Sequence, residues 1–149
     1  MIIDQLAKHD AIGWDVDGTL VDGRNAVYFR QFIFDNPKKR HCLVTFRTHD
    51  LLARLESDLA RHGIRDIAVF EKVLSVPANI WMEWAILQQQ RKGNKTGKLL
   101  LPETAYMEWK GFVCRQEGLT VLVDDDILNT ERGCKRYGIA LLDANAIKF

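Results

Sequence analysis

The acidic residues of this chain are unevenly placed. Asp15-Val16-Asp17-Gly18-Thr19-Leu20 follows one apolar run, and Val123-Asp124-Asp125-Asp126 closes another far downstream. Gathering such groups is unfavourable: two unit charges roughly 4 Å apart repel by about 1 kcal/mol in water and about 4 kcal/mol at an effective dielectric of about 20. A sequence that brings five carboxylates to neighbouring strand ends therefore implies a compensating cation. Oxygen ligands alone select a hard ion, and Mg²⁺ is the usual one where phosphate is also bound. Asp and Gly also populate turns and helix caps. Two such clusters, each after a Val-containing strand, favour the metal site over that plainer use.

The same residues resemble the signatures of the haloacid-dehalogenase-like hydrolase superfamily. Asp15-Val16-Asp17-Gly18-Thr19-Leu20-Val21 is similar to its first signature. Leu43-Val44-Thr45 is similar to the second, an apolar strand ending in Ser or Thr. Leu122-Val123-Asp124-Asp125 is similar to the fourth, with Asn129 at a commonly seen downstream position. The resemblance covers roughly Ala11 to Leu142. It implies a capless phosphatase with a three-layer, Rossmann-like fold and an aspartyl-phosphate intermediate. Asp15 would be the nucleophile, and Asp17 would protonate the leaving alcohol and then deprotonate water. Thr45 would hold phosphoryl oxygens. Asp15, Asp124, Asp125 and the Asp17 carbonyl would bind Mg²⁺.

The third signature is a single lysine. Lys110, before Gly111, matches its usual place ahead of the fourth strand, although it falls two turns into a helix opening at Pro102. Lys98 is the alternative. Thr45-Phe46-Arg47 resembles a Ser/Thr-x-Arg arrangement in the 3′-phosphatase part of phage polynucleotide kinase-phosphatases. Gly18, Thr19, Phe46 and Arg47 are the implied substrate contacts, and arginine suits bidentate phosphate recognition. An arginine at a helix start reaching solvent is the alternative for Arg47.

The chemistry is coherent in its own terms. A phosphate monoester is a dianion and repels a carboxylate nucleophile. A divalent cation and a lysine offset that repulsion and stabilise the transition state. An alkoxide leaving group needs a proton, which gives Asp17 its work. A receiver domain also uses acids, Thr and Lys, but carries its acidic pair on the first strand and its acceptor Asp on a later one. A non-catalytic phosphate- or metal-binding module is the other alternative.

These residues need a scaffold that aligns strand ends. Ala11–Val16, Cys42–Phe46, Ile67–Phe70, Leu119–Val123 and Ile139–Leu142 read as strands. Asn25–Phe34, a segment carrying Leu51, Leu52, Leu55 and Leu59 up to Gly63, Ala78–Gln90, Pro102 to about Gly118, and Ile127–Tyr137 read as helices. The alternation predicts a mostly parallel five-stranded α/β sheet with helices on both faces, as one domain over residues 1–149. In such folds ligands bind beyond the carboxyl ends of the strands. Neither Val21–Cys42 nor Glu71–Glu108 has room for a separate cap domain. The resemblance therefore points to an open site and a bulky substrate, such as a nucleic-acid end or phosphoprotein. A homo-oligomer in which a neighbouring subunit covers a small substrate is the alternative.

Composition sets the bounds. The 149 residues carry 21 Lys+Arg against 20 Asp+Glu, with 47% hydrophobic and 28% charged residues. That is ordinary globular usage and excludes disordered and fibrous classes. A net charge of +1 argues against wholesale wrapping of nucleic acid. Two basic stretches, Arg91–Lys98 and Lys38-Lys39-Arg40, together with Trp81 and Trp84, could serve a polynucleotide; solvated loops and core tryptophans are the plainer reading. Cys42, Cys114 and Cys134 form no CxxC pair and read as reduced thiols. No run approaches the ~18 apolar residues of a membrane span, and a cytoplasmic location is expected.

Overall fold

The structure is a computed structural model and describes residues 1–93 and 104–146. Helix α1 (Ile2–Ala7) precedes strand β1 (Ala11–Trp14), followed by α2 (Ala26–Asp35) and β2 (Arg40–Thr45). Two short helices, α3 (His49–Ala53) and α4 (Leu55–Arg61), lead to β3 (Lys72–Ser75). Then come α5 (Ala78–Gly93), α6 (Thr104–Gln116), β4 (Val121–Asp124), α7 (Ile127–Tyr137) and β5 (Ala140–Asp143). The strands form one parallel sheet in the order β3-β2-β1-β4-β5. This is the expected Rossmann-like three-layer α/β arrangement.

Period-two alternation divides the core. Ile12, Trp14, Leu43, Val121 and Val123 face α1, α2 and α4, where they join Phe29, Ile33 and Leu59. Ala11, Cys42, Val44 and Leu122 face α6 and α7, joining Trp109, Val113 and Cys134. Central strands covered on both sides are apolar along their length, as β1 is, and as β4 is up to its final Asp124.

Register fixes the site. Trp14 lies opposite Leu43 on one side and Val123 on the other. The Asp15 amide extends the ladder by donating to the Val123 carbonyl at 2.9 Å. Asp15, Thr45 and Asp124 thus leave three adjacent strands at nearly the same level.

The expected third strand at Ile67–Phe70 is instead a 3₁₀ turn, Ile67–Val69, and the strand follows at Lys72–Ser75. Asp66 caps that turn by accepting from the Ala68 amide at 2.9 Å, and Phe70 enters the core. The real β3 is a half-exposed edge strand and lacks a continuous apolar run. The single helix expected to end at Gly63 is broken at Arg54 into α3 and α4. Leu55 and Leu59 are buried on α4, whereas Leu51 is exposed. Helix α5 runs to Gly93, so Arg91 and Lys92 belong to it rather than to a loop. Lys95, Lys98 and Pro102 lie outside the described residues.

Two glycines seat α6 against α7. A Cβ on Gly111 would lie 2.1 Å from the Gly133 carbonyl carbon, and one on Gly133 would lie 2.6 Å from the Glu108 carbonyl oxygen. Only hydrogen at both positions permits this approach.

Candidate active site

The carboxyl ends of β1, β2 and β4 open into a cavity of about 500 Å³. Asp15, Asp17, Thr45, Phe46, Arg47, Lys110 and Asp124 to Asp126 border it. Asp15, Asp124 and Asp125 each present a carboxylate oxygen, and these oxygens lie within 4.8 Å of one another. A second cavity, about 530 Å³, lies between β3 and α6. Its carboxylate, Glu108, is already paired with Arg132 and Arg136.

Lys110 is 1% exposed. Its ammonium donates to Asp15 Oδ1 at 2.8 Å and Asp124 Oδ2 at 2.7 Å. It also sits 4.4 Å from the centre of the Phe46 ring, a cation–π contact. Tyr106 stacks on Phe46 with ring centroids 4.2 Å apart, and Trp84 on Tyr106 at 4.4 Å. Burial alone would depress the lysine, but Asp15 and Asp124 outweigh it and hold the ammonium above its ordinary range. Lys110 lies nearly two turns inside α6, which spans Thr104–Gln116. The Gly111–Gly133 approach brings that mid-helix turn to the strand ends.

The remaining oxygens are held individually. Asp15 Oδ2 accepts from the buried Thr19 hydroxyl at 2.9 Å. Asp124 Oδ1 accepts from the Asp126 amide at 2.8 Å. Burial, opposed by Lys110 and reinforced by Asp15, raises the Asp124 carboxyl. Asp125 is pushed up to about 6, first by burial and then by the charge of Asp15. Gly18, at φ +82°, makes room for Asp125: a Cβ there would stand 2.2 Å from Asp125 Oδ2. Gly18 and Thr19 therefore lie behind the carboxylates rather than along the cavity wall.

Asp126 caps α7, accepting from the Asn129 amide at 3.2 Å and side chain at 2.7 Å. Asn129 thereby serves Asp126. The Thr45 hydroxyl accepts from the Arg47 amide at 3.0 Å at the cavity edge.

Arg47 is committed to carboxylates. Its Nε and Nη2 donate to Asp17 at 2.8 and 2.7 Å, and Nη1 donates to Asp58 at 2.8 Å and the Leu51 carbonyl at 2.9 Å. Hydrogen bonding to Asp17, with Asp58 adding to it, raises the guanidinium above its ordinary value. Four of the five N–H donors of an arginine are thus engaged. The sequence reading missed Asp58, which sits between Ser57 and Leu59 on a helix and carries no motif. It also missed Tyr106 and the capping work of Asp126.

The donor set suits a divalent ion. Three carboxylates converge as all-oxygen donors, and one ammonium bonds two of them, Asp15 and Asp124.

Of the basic stretch Lys38-Lys39-Arg40, which the sequence reads more plainly as solvated than as a polynucleotide contact, two members are engaged within the protein. Lys39 donates to the Ala7 and His9 carbonyls, and Arg40 makes two 2.8 Å bonds to Glu71. Arg40 also opens β2, whereas Thr45 ends it, so the two lie roughly 17 Å apart at opposite edges of the sheet. Trp84 stacks within the protein, and Trp81 meets His49 edge-on. No helix among the described residues is long and apolar enough to cross a membrane.

Comparison of the chain with protein-family models, with curated proteins and with solved structures finds no match.

Proposed function

We propose that this protein is a Mg²⁺-dependent phosphomonoesterase of the haloacid-dehalogenase-like type. The observation that carries the reading is the convergence of Asp15, Asp124 and Asp125 around a buried lysine at the carboxyl ends of β1 and β4. Such an arrangement has no evident use as packing, because buried like charges oppose folding.

Asp15, Asp124 and Asp125, with the Asp17 main-chain carbonyl, would hold the ion. Bound there, Mg²⁺ would draw charge from the phosphoryl oxygens. Asp15 attacks phosphorus, forming the aspartyl-phosphate as the ester P–O bond breaks. For Asp17 to give a proton to the departing alkoxide, one of its oxygens must first leave Arg47 and take up that proton, since both accept from the guanidinium at rest. As a carboxylate, Asp17 then takes a proton from water while the water oxygen attacks phosphorus. The bond to Asp15 breaks, inorganic phosphate leaves, and Asp17 is protonated again. Lys110 holds Asp15 Oδ1 in place and neutralises charge on the nucleophile and the transferring group. Thr45 offers its hydroxyl to a phosphoryl oxygen.

The absence of a cap among the described elements favours substrates whose bulk stays outside the cavity, such as a polynucleotide 3′-phosphate or a phosphoprotein. The test is phosphate release from para-nitrophenyl phosphate and from an alkyl phosphate in millimolar Mg²⁺. Asp15→Asn should abolish both activities. Asp17→Asn should lower alkyl phosphate turnover by about 10²–10⁴-fold. Equal rates in wild type and Asp15→Asn would remove the nucleophile and end the proposal.

A further inference from the structure

We propose that Asp58, on α4, is a positioning residue for the reaction: it anchors the Arg47 guanidinium so that Arg47 fixes the Asp17 carboxylate at the cavity rim. This rests on the phosphatase reading for its consequence, while its geometry stands separately.

Asp17 has little else to hold it. Its side chain is 58% exposed, and its carboxylate is gripped by Arg47 through two hydrogen bonds. Arg47 is itself 5% exposed, so its plane is set by what surrounds it. Asp58 and the Leu51 carbonyl share Nη1 on the face away from Asp17. The Asp58 carboxylate is 10% exposed, and its other oxygen is held by Arg61 of the same helix. The order of support therefore runs from a packed helix to a nearly buried carboxylate, then to a planar cation, and last to the exposed acid that must meet the leaving group. An arginine can serve both carboxylates at once because its donors form a rigid fork. The spare capacity of that fork is one N–H, so Arg47 works on Asp17 first and on phosphate at most through a single bond.

A purely structural role for Asp58 would slow every substrate alike. In kcat/KM, which reports the transfer to Asp15 and not the later attack of water, a role exercised through Asp17 depends on the leaving group, because para-nitrophenolate departs without a proton and an alkoxide does not. The experiment measures kcat/KM for both substrate types in wild type, Asp58→Asn, Asp17→Asn and the double variant. It also follows the Arg47 Nε–H resonance by ¹⁵N nuclear magnetic resonance.

Asp58→Asn should lower kcat/KM for the alkyl phosphate by about 10–100-fold, and that for para-nitrophenyl phosphate by less than about threefold. It should add nothing to the loss already caused by Asp17→Asn. The Arg47 Nε–H signal should move in both single variants. Arg47→Lys, a point charge that cannot span both acids, should reproduce the selective loss and serves if Asp58→Asn does not fold. Equal losses on both substrates, full additivity with Asp17→Asn, or an unmoved Nε–H signal in Asp58→Asn would overturn the proposal. A wild-type protein inactive on both substrates would instead end the phosphatase reading, and the Nε–H signal would still decide whether Asp58 holds Arg47 on Asp17.

Discussion

Lys110 is the residue whose presence most needs explaining. An ammonium taken out of water is tolerated only with partners, and here Asp15 and Asp124 both accept from it. Removing one member of such a set leaves charge buried without compensation. Lys110→Met should therefore lower unfolding free energy by about 3–5 kcal/mol in metal-free buffer, measured by urea denaturation. Millimolar Mg²⁺ should restore part of that loss, since the ion takes over neutralisation of the same carboxylates. A loss below about 1 kcal/mol would show that Lys110 is not the principal counter-charge. Asp125 shows the opposite sign. Its carboxyl titrates higher in the folded protein than in the unfolded chain, because burial and Asp15 oppose its charge. The folded state thus binds the extra proton between about pH 4 and pH 6, so this contribution favours folding at low pH and fades as pH rises through that window. Asp125→Asn should flatten that fall in the presence of a chelator, and should stabilise the metal-free protein at neutral pH. An unchanged pH profile would detach Asp125 from the cluster.

At the level of elements, the close seating of α6 on α7 carries the site. Gly111→Ala must push the helices apart, because its Cβ would meet backbone rather than a flexible side chain. Stability should fall by about 1–3 kcal/mol or more by chemical denaturation, and Lys110 should lose its reach to Asp15. An Ala variant as stable as wild type would contradict the packing. The same elements explain what the sequence made legible. Central strands announce themselves because burial on both faces demands unbroken apolar residues, as in Val121-Leu122-Val123. The edge strand Lys72–Ser75 does not, since exposure relaxes that demand, and the apolar Ile67–Phe70 beside it misleads. The carboxylates were legible because acids at strand ends are chemically conspicuous. Asp58 was not: its meaning comes only from Arg47, eleven positions earlier, reaching across a turn and a helix break. Lys110 was legible only in part, because no local pattern reveals that a pair of glycines brings the middle of a helix to the acidic strand ends.

For the whole molecule, the sheet acts as an aligned comb. Parallel order puts every carboxyl end on one edge, and register sets Asp15, Thr45 and Asp124 level. A near-neutral molecule thereby concentrates negative charge in one place and leaves its opposite edge to internal ion pairs such as Arg40–Glu71. An ion that binds only the folded state should stabilise the whole chain, by about 2.7 kcal/mol at one hundred times its dissociation constant. The central claim, however, is that a phosphoryl group passes through Asp15. Its most direct measurement is acid quenching of the protein during turnover of a labelled phosphomonoester in Mg²⁺, followed by peptide mapping. The label should reside on the peptide containing Asp15, disappear with a chelator, and be absent from Asp15→Asn. Brisk turnover with no label on that peptide in the wild type, or label unchanged in Asp15→Asn, would contradict it.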